Sequence, residues 1–224
     1  MTYLILVGGK GTRLKSVVSD TPKPLAPFGN RPFLEFFFEK IGFSKEDKIY
    51  LLCGYGLNKF VKFKKKSKYK LNIVAEDSPL GTGGAIKNAF KLLSLESAIV
   101  FNGDCIQDIC LKSLKKEIKI EKEKPLMVLR KINDNSRYGS VKVKNKYVVD
   151  FLEKTNQESS LINSGIYYLN KKYVEMLPEK KSSIEKDLFE KNIKTLELRS
   201  FLAQGSFIDI GIPEDYLRAI EIYS

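Results

Sequence analysis

Short apolar runs alternate with amphipathic stretches through about the first 130 residues of the chain. Residues 3–7, 48–52, 71–75, 98–102 and 126–129 read as strands buried on both faces. Between them lie helical patterns near 32–41, 57–66, 82–93 and 111–120. This βαβ rhythm predicts an α/β fold, a parallel sheet covered by helices on both sides. From Tyr138 the style changes. Val141-Lys142-Val143 and Tyr147-Val148-Val149 flank Lys144-Asn145-Lys146 and predict a hairpin. A strand at 165–168 and helices near 184–191 and 213–223 complete the pattern. No linker, repeat or low-complexity segment interrupts it. The expectation is one domain over 1–224, with a nucleotide-binding half to about 130 and a mixed-sheet half over about 131–224.

Composition narrows the chemistry. With 224 residues, 43% hydrophobic and 29% charged, the chain can bury roughly 70% of its unfolded surface. No segment approaches roughly eighteen uncharged apolar residues, so no membrane span is expected, and the first residues lack the basic start of a signal peptide. Cys53, Cys105 and Cys110 are neither spaced like a zinc knuckle nor even in number. They read as reduced thiols of a cytoplasmic protein. The chain has no histidine, which removes Ser-His-Asp and Cys-His catalysis and histidine zinc sites. Carboxylates, Lys, Arg, backbone amides and hard metal ions remain. The net charge is +12, yet only six of 39 basic residues are Arg. Base readout in nucleic acid favours Arg, and the run from Lys62 to Lys70 closes an amphipathic helix. We read it as a solvated helix end, with no nucleic-acid partner, whose charge attracts small polyanions.

The first strand runs into Gly8-Gly9-Lys10-Gly11-Thr12-Arg13-Leu14. Glycines there let backbone N–H groups approach an anion, and a following helix start adds favourable partial charge. This reads as a phosphate-binding loop. Leu14 occupies the third glycine position of the dinucleotide fingerprint, and no Gly-Lys-Ser/Thr closes a P-loop. Further on, Pro22-Lys23-Pro24-Leu25 stiffens the backbone around one lysine. Together the two motifs resemble the signature of the sugar-1-phosphate nucleotidyltransferases, which condense a nucleoside triphosphate with a sugar 1-phosphate and release pyrophosphate. The resemblance extends to Asp209. It implies a Rossmann-like mixed, mainly parallel sheet, Mg²⁺ dependence, and nucleotide contacts at Leu6, Gly8, Gly9, Gly11 and Thr12. Catalytic roles fall on Arg13 for the β- and γ-phosphates and on Lys23 for the α-phosphate. The length resembles single-domain members without an appended acyltransferase or β-helix.

A second glycine-rich junction, Leu80-Gly81-Thr82-Gly83-Gly84, follows Glu76-Asp77-Ser78-Pro79 and would let a flat ligand lie against the backbone. The resemblance gives Glu76, Pro79, Gly81 and Thr82 the base and ribose. Asp104 ends an apolar strand, where a carboxylate faces the ligand crevice of a parallel sheet. With Asp209 in Ile208-Asp209-Ile210-Gly211 it would suit octahedral Mg²⁺, and the resemblance assigns both to the metal. Cys105 and Asp108 read as incidental. Tyr138-Gly139, Glu153-Lys154 and Asn163 resemble the acceptor motifs. Gly139 implies close backbone approach, Glu153 and Asn163 sugar hydroxyls, and Lys154 the sugar phosphate.

The expected chemistry is in-line attack of a sugar 1-phosphate oxygen on the α-phosphorus. A phosphate monoester is already dianionic near neutral pH, its second pKa being about 6, so no general base is required. Residues 80–86, 22–27 and 32–35 most resemble short members that are D-glycero-α-D-manno-heptose 1-phosphate guanylyltransferases. That implies GTP, a heptose 1-phosphate and a GDP-heptose product for surface polysaccharide. Uridylyl- or thymidylyltransferases acting on other sugar 1-phosphates, a dinucleotide oxidoreductase and a non-catalytic nucleotide-binding module stay open.

Overall fold

The first apolar run forms strand β1, Thr2–Leu6, in which Tyr3, Leu4 and Ile5 have no exposure. The computed structural model describes residues 1–14, 16–18, 20–44, 46–133, 138–152 and 160–223. The further strands are β2 Pro27–Phe28, β3 Arg31–Pro32, β4 Lys48–Cys53, β5 Leu71–Ala75, β6 Ser97–Asn102, β7 Cys105–Gln107 and β8 Leu126–Ile132. They continue as β9 Ser140–Lys144, β10 Tyr147–Leu152, β11 Ser160–Asn170, β12 Arg199–Ala203 and β13 Phe207–Asp209. The helices are α1 Phe33–Ile41, α2 Leu57–Lys66, α3 Gly81–Leu92, α4 Leu111–Ile120, α5 Lys171–Val174 and α6 Pro213–Tyr223. A π-helical turn spans Ile184–Glu190.

Nine strands make one mixed sheet in the order β5-β4-β1-β6-β11-β8-β12-β10-β9. The four strands β5, β4, β1 and β6 are parallel. Strand β11 then inserts antiparallel between β6 and β8, so the sheet joins both halves of the chain. Along β1 the side chains alternate, Tyr3 and Ile5 into one core and Leu4 into the other. The first core receives α1, α2, α4 and α6; the second receives α3, α5 and the π-helical turn. The result is the expected sheet covered by helices on both sides. Among the described residues, no helix is long and apolar enough to cross a membrane.

The second half differs most from its sequence pattern. The hairpin forms as expected, with Asn145 and Lys146 both at positive φ, as a tight primed turn requires. The strand expected at 165–168 is eleven residues long; its polar Ser160, Asn163 and Ser164 mask the first part. Strand β12 carries no apolar start, because Arg199 is buried there against Glu117 and Glu121. The ribbon β7–β13 is three residues on each side, too short for any periodicity. The helix expected near 184–191 is the π-helical turn.

Phe37 on α1 has no exposure and packs against Phe101 at 6.1 Å and Phe43 at 6.4 Å between ring centres. Phe37→Ala should therefore cost about 3–5 kcal/mol of unfolding free energy in a urea titration. A loss below about 1 kcal/mol would show that this aromatic core can collapse around the gap.

Candidate active site

The carboxyl ends of β1, β4, β5 and β6 open into a cleft of about 700 Å³. Parallel strands bring their C-terminal loops to one edge, which is where such sheets bind ligands. Of the expected residues, Leu6, Gly8, Gly9, Glu76, Pro79, Gly81, Thr82 and Asp104 all line this space. Lys10, Gly54, Tyr55, Asp77, Asn102 and Lys181 join them. Gly54 and Tyr55 directly follow β4, so the strand-end rule would have found them. Lys181 has no sequence signal that separates it from the other lysines.

Gly8 needs to be glycine for a local reason. A Cβ there would lie 2.8 Å from the Gly54 nitrogen and 2.9 Å from Glu76 Oε1. The Glu76 carboxylate thus lies against the glycine loop, and its Oε2 accepts the Leu80 N–H at 2.9 Å. Burial pushes the Glu76 carboxyl up, and that one N–H only partly offsets it. No donor reaches Oε1 among the described residues.

The prolines clamp Lys23 as expected. Residues Lys23–Leu25 form a 3₁₀ turn, and Pro22 presses onto Gly56, where a Cβ would stand 2.4 Å from the Pro22 ring. Gly56 sits at φ 76° and opens α2. Lys23 Nζ lies 2.7 Å from Asp104 Oδ2. Burial opposes the charge on Lys23, but Asp104, and behind it Asp209, outweigh that cost and hold its pKa above the ordinary value. The lysine stands behind Asp104, beside the cleft rather than among its lining, as a fixed cation. Gly11, at φ 57°, places its Cα face against Lys23 Cβ.

Asp104 and Asp209 come together although 105 positions separate them in sequence (209 minus 104). Asp209 stands opposite Cys105 in the β7–β13 ladder, and one ligand atom from each of Asp104, Cys105 and Asp209 falls within 4.8 Å of the others. Cys105, read from sequence as incidental, therefore sits inside the carboxylate pair. Burial, then the neighbouring carboxylates, push its thiol well up. The two carboxylates are the hard oxygen donors of the group, and they fit Mg²⁺. Asp108 does lie apart, at the far end of β7, held by Lys40 at 2.7 Å and the Ser206 N–H at 2.7 Å.

Other expected residues are distributed around this centre. Thr12 and Arg13 are exposed on the 3₁₀ turn Thr12–Leu14, beside the cleft rather than among its lining. Tyr138 rests its ring edge on Phe207, 5.9 Å away on the same ribbon as Asp209. Gly139 approaches the Leu152 carbonyl, 3.2 Å from where its Cβ would be. Asn163 donates to the Tyr167 hydroxyl at 2.8 Å and accepts from the Gly165 N–H at 2.9 Å. Glu153 and Lys154 lie outside the described residues. The glycines at 81 and 83 also carry a packing role, since a Cβ at either would lie under 3 Å from Ser182.

A glycine loop against a fixed lysine, backed by paired carboxylates at a parallel-sheet crevice, suits transfer of a phosphate-bearing group from a nucleotide. Comparison with known proteins agrees with that class: the nucleotidyl transferase family profile matches residues 2–224, and the chain belongs to this family. It is 40% identical over 220 residues to the D-glycero-alpha-D-manno-heptose 1-phosphate guanylyltransferase of Campylobacter jejuni, covering 96% of this chain and 97% of that protein. To the Aneurinibacillus thermoaerophilus enzyme of the same name it is 36% identical, covering 98% and 96%. Among solved structures, HddC from Yersinia pseudotuberculosis complexed with GMP-PN matches with a TM-score of 0.85 at 34% identity, over 100% of this chain and 99% of that one.

Gly56→Ala should disturb the clamp at its root. A non-glycine residue in the left-handed region costs about 1–2 kcal/mol, and the new Cβ must displace Pro22 and with it Lys23. Calorimetry should show weaker nucleoside triphosphate binding along with the lower stability. Unchanged affinity would mean that Pro22 does not set the lysine's position.

Proposed function

We propose that the chain transfers the guanylyl group of GTP to D-glycero-α-D-manno-heptose 1-phosphate, giving GDP-heptose and pyrophosphate. The observation that carries this reading is the 40% identity to a heptose 1-phosphate guanylyltransferase across almost the whole of both chains. The cleft supplies physical support. Glu76 Oε1 is an acceptor in search of a donor, and guanine offers N1–H and its exocyclic amine.

In this reading a sugar 1-phosphate oxygen attacks the α-phosphorus in line. The bond from that phosphorus to the bridging oxygen breaks, and pyrophosphate leaves with the electron pair. The nucleophile is already an anion, since the second pKa of a phosphate monoester is about 6; a chain without histidine loses nothing by it. Lys23, fixed and charged, draws the α-phosphate and the incoming anion together. Arg13 takes the departing β- and γ-phosphates, and Lys181 adds a third cation at the cleft wall. Asp104 and Asp209 would hold Mg²⁺, which when bound neutralises phosphate charge. The acceptor rests near Tyr138, Gly139 and Asn163, with Glu153 and Lys154 completing its site. The reduced thiols suit a cytoplasmic enzyme.

Pyrophosphate release across four triphosphates and a panel of sugar 1-phosphates tests the proposal. The highest kcat/KM should come from GTP with the heptose 1-phosphate. A higher value with UTP or dTTP would replace guanylyl transfer by another base while leaving nucleotidyl transfer standing. Arg13→Ala should lower kcat by about 10²–10³ in a folded enzyme, the usual worth of one charged transition-state donor; more than half of wild-type activity would remove Arg13 from the reaction. Asp104→Asn and Asp209→Asn should each abolish Mg²⁺-dependent turnover, because an amide is a poor partner for a hard dication. Normal activity at limiting Mg²⁺ in either variant would free that residue of the metal.

A further inference from the structure

Glu185, in the π-helical turn, sits where the two halves of the site meet. Its Oε2 accepts from Thr82 Oγ1 at 3.1 Å and from Ser183 Oγ at 2.7 Å. Its Oε1 accepts from the Tyr167 hydroxyl at 3.3 Å. Tyr167 has no exposure, and burial together with Glu185 holds its phenol well above the ordinary range, so the hydroxyl keeps its proton. That single proton is committed to Glu185. The phenol oxygen must then act as an acceptor towards its other neighbour, Asn163 Nδ2, at 2.8 Å. The Asn163 Oδ1 is fixed independently by the Gly165 N–H at 2.9 Å. The carboxamide therefore has one orientation, with one N–H and one lone pair left for a ligand. At the other end of the chain of bonds, Thr82 also accepts the Ile184 N–H at 2.9 Å, which pins the turn to the start of α3.

We infer that Glu185 is a positioning residue that, through Tyr167, holds the Asn163 amide in place for the acceptor sugar, and ties that placement to the nucleotide loop at Thr82. The inference rests on the nucleotidyl-transfer reading for its substrates. Its logic is directional. Glutamine at 185 offers one acceptor oxygen and one NH₂ group in place of two acceptors. With the NH₂ facing Tyr167, the phenol proton loses its acceptor and turns towards the Asn163 NH₂, while Asn163 Oδ1 stays engaged by the Gly165 N–H. The amide then loses its hold on the phenol, and a sugar hydroxyl fitted to the held amide loses that fit.

Glu185→Gln and Tyr167→Phe test this together. Phenylalanine keeps the ring that packs on Phe189 at 5.1 Å, so that variant loses the relay without opening the core. With GTP and the best sugar 1-phosphate, both variants should raise the acceptor KM about tenfold, the worth of one hydrogen bond to a ligand. Both should leave kcat and the calorimetric affinity for GTP within about threefold of wild type. The double variant with Asn163→Ala should add nothing further to the acceptor KM, since all three residues act through one amide. If Glu185→Gln fails to fold, Tyr167→Phe decides by the same thresholds. An acceptor KM changed by less than about threefold overturns the inference; so does a parallel loss of kcat and of affinity for both substrates, which marks a merely structural role. A wild-type chain inactive on the whole panel overturns the inference and the proposed reaction together, whereas an active wild type with unaltered variants overturns the inference alone.

Discussion

The pairing of β1 with β6 is the constraint on which the site depends. The two strands are parallel and end in register, Leu6 against Asn102, and the Gly103 N–H closes the pair by donating to the Leu6 carbonyl at 3.0 Å. Only glycine tolerates this, because a Cβ at 103 would stand 2.9 Å from that same carbonyl oxygen. One strand then releases the glycine loop and the other releases Asp104, side by side. The hydrophobic burial that drives β1 into the middle of the sheet is thus also what sets that loop beside a carboxylate. Slipping either strand by one residue would reverse its buried faces, so core and site share a single register.

Electrostatics follow from that geometry. Lys23 is mostly withdrawn from water, its side chain 12% exposed, and burial without compensation would lower its pKa. Asp104 and Asp209 supply it. The lysine in turn pairs with Asp104 at 2.7 Å, and its charge also acts across to Asp209. The overall charge of +12 is a weaker influence, spread over the surface and screened beyond about 10 Å in ordinary salt. What distinguishes the cleft is the fixing of a few charges rather than their number.

The first half of the fold was legible because strands buried on both faces read as unbroken apolar runs, and helices between them keep a clear period. Strands β1, β4, β5 and β6 and helices α1 to α4 fall within two residues of expectation at each end. The second half hides its register. Strand β12 begins on a buried arginine whose partners, Glu117 on α4 and Glu121 just after it, lie far away in sequence. Ribbon β7–β13 is too short to show a pattern, yet it is what places Cys105 opposite Asp209. Motif residues were legible because backbone approach to an anion demands glycine, and rigid lysine placement favours proline. Lys181 and Glu185 carry no such demand, and only the fold brings Lys181 to the cleft and Glu185 against Thr82. The glycines at 81 and 83 were read for ligand approach, but the structure gives them a second task, the seating of Ser182.

Lys23 and Arg13 illustrate two ways of presenting a cation. Lys23 is held by a proline clamp, by Gly11 and by Asp104 before any ligand arrives, so most of its ordering cost is met in folding. Arg13 is exposed on a short turn, and no hydrogen bond or ion pair holds its side chain among the described residues. Ordering such a side chain costs up to about 2 kcal/mol of rotamer entropy. In the proposed reaction that cost falls due when the β- and γ-phosphates are engaged, the stage at which charge accumulates on the leaving group. A cation ordered by the leaving pyrophosphate stabilises the transition state more than the bound ground state, and that difference is what accelerates a reaction. In that proposed reaction the fixed lysine would serve alignment of the two anions, and the exposed arginine departure.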